Sequence, residues 1–354
     1  MVLREMRTDG HESVTFVRDE DSGLEAIVAV HDTTLGPALG GTRILDYPSE
    51  ENALTDVLRL SRSMTYKAAA ADLDLGGGKA VIVGDPADIK TDDLFRAYGR
   101  AVDNLSGAYI TTEDMNTEVE DMDVVAGETE YVVGTNDGLG DPSPVTAHGV
   151  FHGIRGCLDW RYDDDSLSDV TVVVQGAGKV GAPLAEMLAE AGATVKIADP
   201  STAAAEQVQE RTDGEVHVID PDGALTEPCD VLAPCAISHL GLGEADALRE
   251  TIPDLACDIV AGSATNSLGD HHEASEFAAQ LDGQGILYAP DYVINAGGLI
   301  LTYHDWIDST REAAYDDAED IRERLLSIFQ EADDDGVTTL AAANRYAEER
   351  FQSP

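Results

Sequence analysis

A glycine-rich turn in the second half of the chain constrains the possible folds more than any other feature. An apolar run at residues 171–174 leads through Gln175 into Gly176, Ala177, Gly178, Lys179, Val180 and Gly181, and apolar residues at helical spacing follow. A Gly-x-Gly-x-x-Gly turn between a strand and a helix is typical of a dinucleotide site. Gly176 allows the tight turn, Gly178 lets a pyrophosphate approach the backbone, and Gly181 allows close helix–strand packing. We therefore expect residues 176–181 to bind a dinucleotide.

The runs around this turn predict a parallel sheet. Strand-like segments at residues 171–174, 194–198, 215–219, 231–234, 258–261 and 286–289 alternate with helix-length or loop segments. The second strand ends at Asp199, 18 residues after Gly181, where a carboxylate binds the ribose hydroxyls of NAD and repels the extra phosphate of NADP. NAD is therefore the predicted cofactor. Cys235 could line the ribose pocket, although buried packing is the more common role for such a cysteine.

The first half of the chain is less regular. Strands are predicted at residues 14–17, 24–31 and 79–83, and a helix after Pro48. Residues 134–144 are rich in Gly, Asp and Pro and are the best candidate for a linker between the two halves. Near the end of the chain two helices are predicted at residues 310–332 and 338–351, with Gly336 between them.

The charge excludes several classes of partner. The chain of 354 residues carries 22 Lys and Arg against 69 Asp and Glu, a formal net charge of −47. This charge repels nucleic acid and anionic membranes. The sequence has neither an apolar stretch approaching the ~20 residues of a membrane span nor a signal-peptide pattern, and its cysteines lack Cys-x-x-Cys spacing. We expect a soluble cytoplasmic protein and, from the dispersed acid and scarce lysine, a halophilic source.

Two of only five lysines, Lys67 and Lys79, lie 12 residues apart in Ala- and Gly-rich surroundings. Two ammonium groups that face one site lower each other's pKa. One could then bind a carboxylate while the other acts as a base near neutral pH. Asp114 is a candidate partner, although composition alone would not select it among the acidic residues.

An ordered set of motifs identifies a family. Residues 36–43 (GPALGGTR), 64–67 (MTYK), 76–79 (GGGK), 112–114 (TED), 142–146 (PSPVT) and 289–298 (APDYVINAGG) occur together with the glycine-rich turn. Over about residues 24–350 the chain resembles the Glu/Leu/Phe/Val dehydrogenase family, and most of all its leucine and valine dehydrogenases.

The resemblance implies an α/β fold with two domains. An N-terminal α/β substrate-binding and oligomerisation domain would span residues 1–135 and be completed by the C-terminal helix at about 335–354. A Rossmann NAD-binding domain would span residues 145–330. The implied reaction is the NAD-dependent, reversible conversion of an L-amino acid and water into a 2-oxo acid and ammonium, carried out by a homo-oligomer.

The resemblance also assigns roles to matching residues. Lys79 would be the base that activates water, and Asp114 would carry protons to and from the substrate nitrogen. Lys67 would hold the substrate carboxylate near the backbone of Gly40 and Gly41. Asn266 and Thr146 would lie near the amino group or the nicotinamide. The substrate side-chain pocket would be lined by Leu39, Thr112, Leu299 and Thr302.

This pocket favours an apolar substrate. Glutamate-specific members carry a lysine where this chain has Leu39, and burying an unpaired carboxylate against Leu39 and Leu299 would be costly. One methylene changes binding by only ~1–3 kcal/mol, so leucine, valine and isoleucine need not be well separated. We expect a branched-chain amino acid dehydrogenase. The alternatives are a glutamate or phenylalanine dehydrogenase and a catalytically silent NAD-binding protein of the same fold.

Some positions depart from the family pattern. Asn116 stands where a glycine is usual, which predicts a shift of that loop, and Thr265 stands where the leucine enzymes have asparagine. Thr112 and Thr302 make the pocket more polar than in leucine dehydrogenases, and residues 299–306 resemble the glutamate branch.

The histidines do not predict a metal site. His148 and His304 are expected in ordinary packing, and the adjacent His271 and His272 cannot present one metal-binding face.

Overall fold

A computed structural model describes residues 2–236, 247–265, 268 and 271–352. The chain divides into two compact units. The first unit comprises Met1–Asp141, Thr302–Arg311 and Ala347–Pro354, and the second comprises Pro142–Leu301 and Glu312–Tyr346. The assignment of a substrate-binding role and an NAD-binding role to separate domains stays a prediction.

The first unit is built on a five-stranded mixed sheet. Its strands are β1 (Ser13–Asp19), β2 (Leu24–Asp32), β3 (Ala38–Leu45), β4 (Gly76–Val83) and β5 (Tyr109–Glu113). They lie in the order β1-β2-β4-β3-β5. β2 is antiparallel to β1 and β4, whereas β3 is parallel to both β4 and β5. Its helices are α1 (Val2–Asp9), α2 (Glu50–Ala70), α3 (Pro86–Ile89), α4 (Asp92–Asp103) and α5 (Val119–Ala126).

Helices cover both faces of this sheet. Ser49 caps α2 by accepting a hydrogen bond from the backbone N–H of Asn52. The apolar stripe of α2, which includes Leu54 and Val57, packs against Ile27 and Val81 of the sheet. The opposite face packs against α4 and α5 through the buried cluster Leu94, Phe95, Tyr98, Val102, Met122 and Val125. Each such side chain contributes about 1.5–3 kcal/mol on burial, which holds β3, β4 and β5 in fixed register.

The second unit contains a six-stranded sheet in which all pairs are parallel. Its strands are β6 (Thr171–Gln175), β7 (Thr194–Ala198), β8 (Val216–Val218), β9 (Val231–Pro234), β10 (Ile259–Val260) and β11 (Leu287–Tyr288), in the order β11-β10-β9-β6-β7-β8.

Helices make up most of the rest of the second half of the chain. They are α6 (Ser143–Tyr162), α7 (Gly181–Glu190), α8 (Thr202–Arg211), α9 (Ala247–Thr251), α10 (His271–Gly283), α11 (Asp291–Ile294), α12 (Gly297–Trp306), α13 (Arg311–Glu319), α14 (Ile321–Asp335) and α15 (Thr339–Phe351). Two 3-10 turns lie at Pro221–Thr226 and Ile252–Asp254. Among the described residues, none of the helices combines the length and apolar character that a membrane span requires.

The predicted α/β class and the parallel second sheet are confirmed, because all six strands predicted there are present. Two strands of the first unit, β3 and β5, were not predicted. β3 contains Gly40 and Gly41, which are poor strand formers in isolation. The helix predicted at residues 310–332 is two helices, since α13 ends at Glu319 and α14 begins at Ile321.

Candidate active site

Strand alternation brings several predicted site residues to one face of the first unit's sheet. The register pairs Leu39 with Gly77 and Ile110, and Gly41 with Thr112. Continued by two residues, it sets Lys79 beside Gly41 and Asp114 beside Arg43. Because alternate residues of a strand point to the same face, one face carries Leu39, Gly41, Arg43, Lys79, Thr112 and Asp114.

Lys79 and Asp114 form a close ion pair on this face. Lys79 Nζ lies 2.7 Å from Asp114 Oδ2, and the two side chains are 8% and 28% exposed. Burial lowers the pKa of Lys79, and the charge of Asp114 offsets only part of that effect. Burial by itself would raise the pKa of Asp114, but the positive charges of Lys79 and Arg43 hold it well below its usual range. The pair therefore combines an ionised carboxylate with an amine whose proton is weakly held.

Arg43 contacts the same carboxylate oxygen of Asp114 as Lys79 does. Its Nε lies 3.0 Å from Asp114 Oδ2, and its Nη1 lies 3.0 Å from Asp56 Oδ2. Asp56 also accepts hydrogen bonds from Arg59 Nη2 at 2.9 Å and from Tyr47 Oη at 2.7 Å. Sequence reasoning missed this network. The available signals were an arginine within a glycine-rich buried strand and an aspartate within the apolar stripe of α2.

Gly41 lies where no larger residue fits. A Cβ atom at this position would lie 2.6 Å from the carbonyl oxygen of Glu113 and 2.7 Å from the Cβ of Asp114. The neighbouring carbonyl of Gly40 accepts a hydrogen bond of 2.6 Å from Tyr109 Oη. The Gly-Gly pair thus lets β3 approach the residue that carries the carboxylate.

Asn116 takes up a conformation that suits glycine. Its φ is +61°, in the left-handed region that asparagine tolerates better than most residues. Its Nδ2 donates to the carbonyl of Ile44 at 2.9 Å. The loop is also tied through Thr117 Oγ1, which accepts from the backbone N–H of Asp114 at 2.8 Å and donates to the carbonyl of Thr42 at 2.8 Å. Asparagine therefore adopts here a conformation that is open to glycine, and the shift of this loop relative to the family stays a prediction.

The other predicted substrate residues are divided between the units. In the first unit Lys67 is half-buried near the end of α2, and Leu39 is 1% exposed. Thr112 and Thr302 also belong to the first unit, whereas Thr146 and Leu299 belong to the second. Thr146 Oγ1 donates to the carbonyl of Pro142 at 3.1 Å. Asn266 lies outside the described residues, and the common pocket stays a prediction.

The glycine-rich turn has the geometry that a pyrophosphate needs. Gly176 has a φ of +107°, and a Cβ atom at Gly181 would lie 2.0 Å from the carbonyl oxygen of Gly176. Gly178 is exposed, and a Cβ atom there would meet nothing within 4 Å. Lys179 is also exposed, and the side chain of Val180 does not cap the first turn of α7. Backbone N–H groups at such a helix start favour an anion.

Asp199 and Cys235 flank this turn. The Oδ2 atom of Asp199 accepts from the backbone N–H of Ala177 at 2.8 Å, and its Oδ1 accepts from that of Ser201 at 2.8 Å. The carboxylate is therefore held beside the turn. The backbone N–H of Cys235 donates to Gln175 at 2.7 Å, and burial raises the pKa of its thiol. Together these residues fit a dinucleotide.

Comparison with known proteins agrees with this geometry. Residues 11–131 match the family described as "Glu/Leu/Phe/Val dehydrogenase, dimerisation domain", and residues 196–350 match "Glutamate/Leucine/Phenylalanine/Valine dehydrogenase". The chain is 44% identical over 353 residues to an L-tryptophan dehydrogenase of Nostoc punctiforme, covering 100% of this chain and 97% of the relative. It is 42% identical over 354 residues to the leucine dehydrogenase of Bacillus subtilis, covering 99% and 94%.

A solved structure gives the same result. The crystal structure of L-tryptophan dehydrogenase from Nostoc punctiforme is similar with a TM-score of 0.85 and 43% identity, and the match covers 99% of both chains. The chain therefore belongs to the Glu/Leu/Phe/Val dehydrogenase family. It is an amino acid dehydrogenase, an oxidoreductase of a family that generally uses a nicotinamide cofactor.

Proposed function

We propose that this protein catalyses the NAD-dependent, reversible oxidative deamination of a branched-chain L-amino acid (leucine, valine or isoleucine) to its 2-oxo acid and ammonium. The observation that carries the substrate class is the buried, uncharged Leu39 on the face that bears Lys79 and Asp114. The cations beside it, Lys79 and Arg43, are already paired with Asp114. A second substrate carboxylate would therefore be buried without a partner, which is costly.

The Lys79–Asp114 pair supports the proposed acid–base steps. In this proposal Lys67 binds the substrate carboxylate, and the backbone of Gly40 and Gly41 adds contacts nearby. Lys79, whose pKa burial lowers, takes a proton from the water that attacks the imine carbon. Asp114, which is ionised, accepts a proton from the substrate nitrogen and later returns it. Thr146 and Asn266 are proposed beside the amino group or nicotinamide.

We assign the dinucleotide to the glycine-rich turn. The backbone of Gly176, Ala177, Gly178, Lys179, Val180 and Gly181 would hold its pyrophosphate, and Cys235 would lie by the ribose. The carboxylate of Asp199 supports NAD over NADP, because it would repel a 2′-phosphate. When bound, NAD would accept the hydride that leaves the substrate Cα.

An aromatic amino acid is the second candidate for the substrate. The relatives named L-tryptophan dehydrogenase and leucine dehydrogenase match this chain at similar identity. Leu39, Thr112, Leu299 and Thr302 are the proposed selectors in either case. The match of residues 11–131 to a dimerisation domain supports a homo-oligomer. The charge of −47 supports the proposal that the protein works in a cytoplasm of high salt concentration. The same charge argues against nucleic acid or an anionic membrane as partner.

A substrate panel tests the proposal. NADH formation by the purified protein in molar KCl would be compared for L-leucine, L-valine, L-isoleucine, L-phenylalanine, L-tryptophan and L-glutamate. We expect the three branched-chain substrates to have the highest kcat/KM, and Leu39→Lys to shift the preference towards glutamate. A preference of the unmodified enzyme for glutamate would contradict the role of Leu39, and a preference for tryptophan or phenylalanine would favour the second candidate.

A second variant tests the catalytic assignment. Lys79→Ala should lose nearly all turnover while it retains NADH binding, because the dinucleotide residues belong to the other unit. Unchanged turnover would remove Lys79 from the mechanism.

A further inference from the structure

Two histidines and a glutamate converge in the second unit, where helices α6 and α13 meet. His148 and His152 are spaced i, i+4 on α6, so they lie on the same face of the helix. Their rings lie 4.5 Å apart. Glu319, the last residue of α13, places its Oε1 3.3 Å from His148 Nε2 and 3.9 Å from His152 Nε2. One potential ligand atom from each of the three residues lies within 4.8 Å of the other two.

A glycine of α6 lies against the junction of α13 and α14, next to Glu319. Gly149 lies between the histidines in the sequence, and a Cβ atom there would lie 2.6 Å from Ile321 Cδ1 and 3.7 Å from the carbonyl oxygen of Ala318. Gly149 therefore leaves room for the side chain of Ile321 beside the junction of α13 and α14. Glu319 also ends α13, where the negative end of the helix dipole favours a cation.

The separations are close to those of ligand atoms around a shared cation. A tetrahedral ion with bonds of about 2.0–2.1 Å separates its ligand atoms by roughly 3.4 Å. The His148–Glu319 distance of 3.3 Å matches this value, and the 3.9 Å of His152 requires a shift of about half an ångström. In the absence of an ion, His148 Nε2 and Glu319 Oε1 are within hydrogen-bond distance of each other, whereas His152 Nε2 lies beyond hydrogen-bond distance of the same oxygen.

The neighbouring charges permit a divalent cation. Arg322 and Arg155 lie nearby, but Arg322 Nη2 is 2.7 Å from Asp159 Oδ2 and Arg155 Nη2 is 2.6 Å from Asp165 Oδ2. Their charges are thus compensated locally. The histidine side chains are 21% and 15% exposed, and that of Glu319 is 52% exposed, so an ion can reach the cluster from solvent.

We propose that His148, His152 and Glu319 bind a first-row divalent cation of the zinc class, with water completing the coordination. Two imidazoles and one carboxylate are ligands that Zn²⁺, Co²⁺ and Ni²⁺ accept. The ion joins α6 to α13 and therefore stabilises the second unit. This inference replaces the expectation of no metal site, and the sequence alone could not make it because Glu319 lies 167 residues beyond His152.

The test is metal binding by the full-length protein after dialysis against a chelator. Zn²⁺ would be titrated by calorimetry, and Co²⁺ by its visible absorption, which is intense in a tetrahedral site. The variants are His152→Ala and Glu319→Gln. The matched control is His217→Ala, since His217 Nε2 lies 3.0 Å from Glu215 Oε1 in an exposed pair without a second histidine.

We expect the unmodified protein and His217→Ala to bind one Zn²⁺ per chain with the same affinity. His152→Ala and Glu319→Gln should bind it at least about tenfold more weakly. Zn²⁺ should raise the melting temperature of the unmodified protein and of His217→Ala only. Without metal all four proteins should melt at the same temperature, which would show that the variants fold. Equal Zn²⁺ binding by all four proteins, or no binding by the unmodified one, would overturn the proposal.

Discussion

Two glycines of the same turn are expected to respond to alanine in opposite ways. At Gly181 the added methyl group would lie 2.0 Å from the carbonyl oxygen of Gly176, about 1.4 Å closer than an ordinary contact of ~3.4 Å. The start of α7 must then move away from β6. Overpacking of this kind costs about 1–3 kcal/mol. For a unit of this size that corresponds to a melting temperature lower by roughly 2–12 °C.

At Gly178 the same methyl group meets no atom within 4 Å, and the backbone there is not in the left-handed region. Gly178→Ala should therefore melt at or slightly above the temperature of the unmodified protein. If the pyrophosphate approaches this backbone, the methyl group occupies its place. A clash worth about 1–3 kcal/mol then weakens NADH binding by roughly 5- to 150-fold.

The assays are thermal unfolding without cofactor and NADH titration by fluorescence. Gly223→Ala is the control for the substitution itself, because Gly223 also has no atom within 4 Å and lies outside the turn. If Gly178→Ala bound NADH as well as Gly223→Ala does, the assignment of residues 176–181 to the pyrophosphate would be refuted.

Four further outcomes are expected. Arg43→Met removes a positive charge that lowers the pKa of Lys79, so the acid limb of kcat/KM should move to higher pH, whereas Arg43→Lys should stay nearer the original profile. Asp199→Asn removes the charge that repels a 2′-phosphate, and the ratio of NADPH to NADH affinity should rise about tenfold or more in fluorescence titrations. Burial and the charge of His11 lower the pKa of His31 from 6.5 to about 4, so the unfolded chain binds more protons between these values. The melting temperature should then fall as pH drops from about 6.5 towards 4, and fall less in His31→Gln. Raising KCl from 0.1 to 1 M shortens the Debye length from about 10 to 3 Å, so a chain of charge −47 should melt at a higher temperature.

Sequence reasoning located the second unit well, because its strands are apolar runs bounded by turns. β7 and β9 have the predicted bounds, and β6 differs by one residue. The glycine-rich turn was predictable for the same reason, since each glycine has a local steric purpose. Local signals of this kind need no knowledge of distant contacts.

The first unit was harder to predict because its strands depend on partners far away in the chain. β3 owes its position to pairing with β4 and β5, and the sequence of β3 contains two residues that disfavour a strand. The ion pair of Arg43 with Asp114 spans 71 residues, so spacing along the chain gives no sign of it. Lys79 was selected because lysine is scarce in this chain, and the family motifs assigned roles to Lys79 and Asp114. Their 2.7 Å contact could be known only from the fold.

The tight fit at Gly41 bears on how such an enzyme can change over evolutionary time. Gly41 lies against Asp114 with no room for a side chain, so nearly every substitution there should displace the proposed acid–base carboxylate. Leu39 and Thr112 lie on the same face and already carry side chains, so these positions do not exclude a side chain as Gly41 does. If the proposed pocket is correct, substitutions at Leu39 and Thr112 can change which amino acid the enzyme accepts during evolution. The acid–base chemistry stays the same, because Gly41 is held constant.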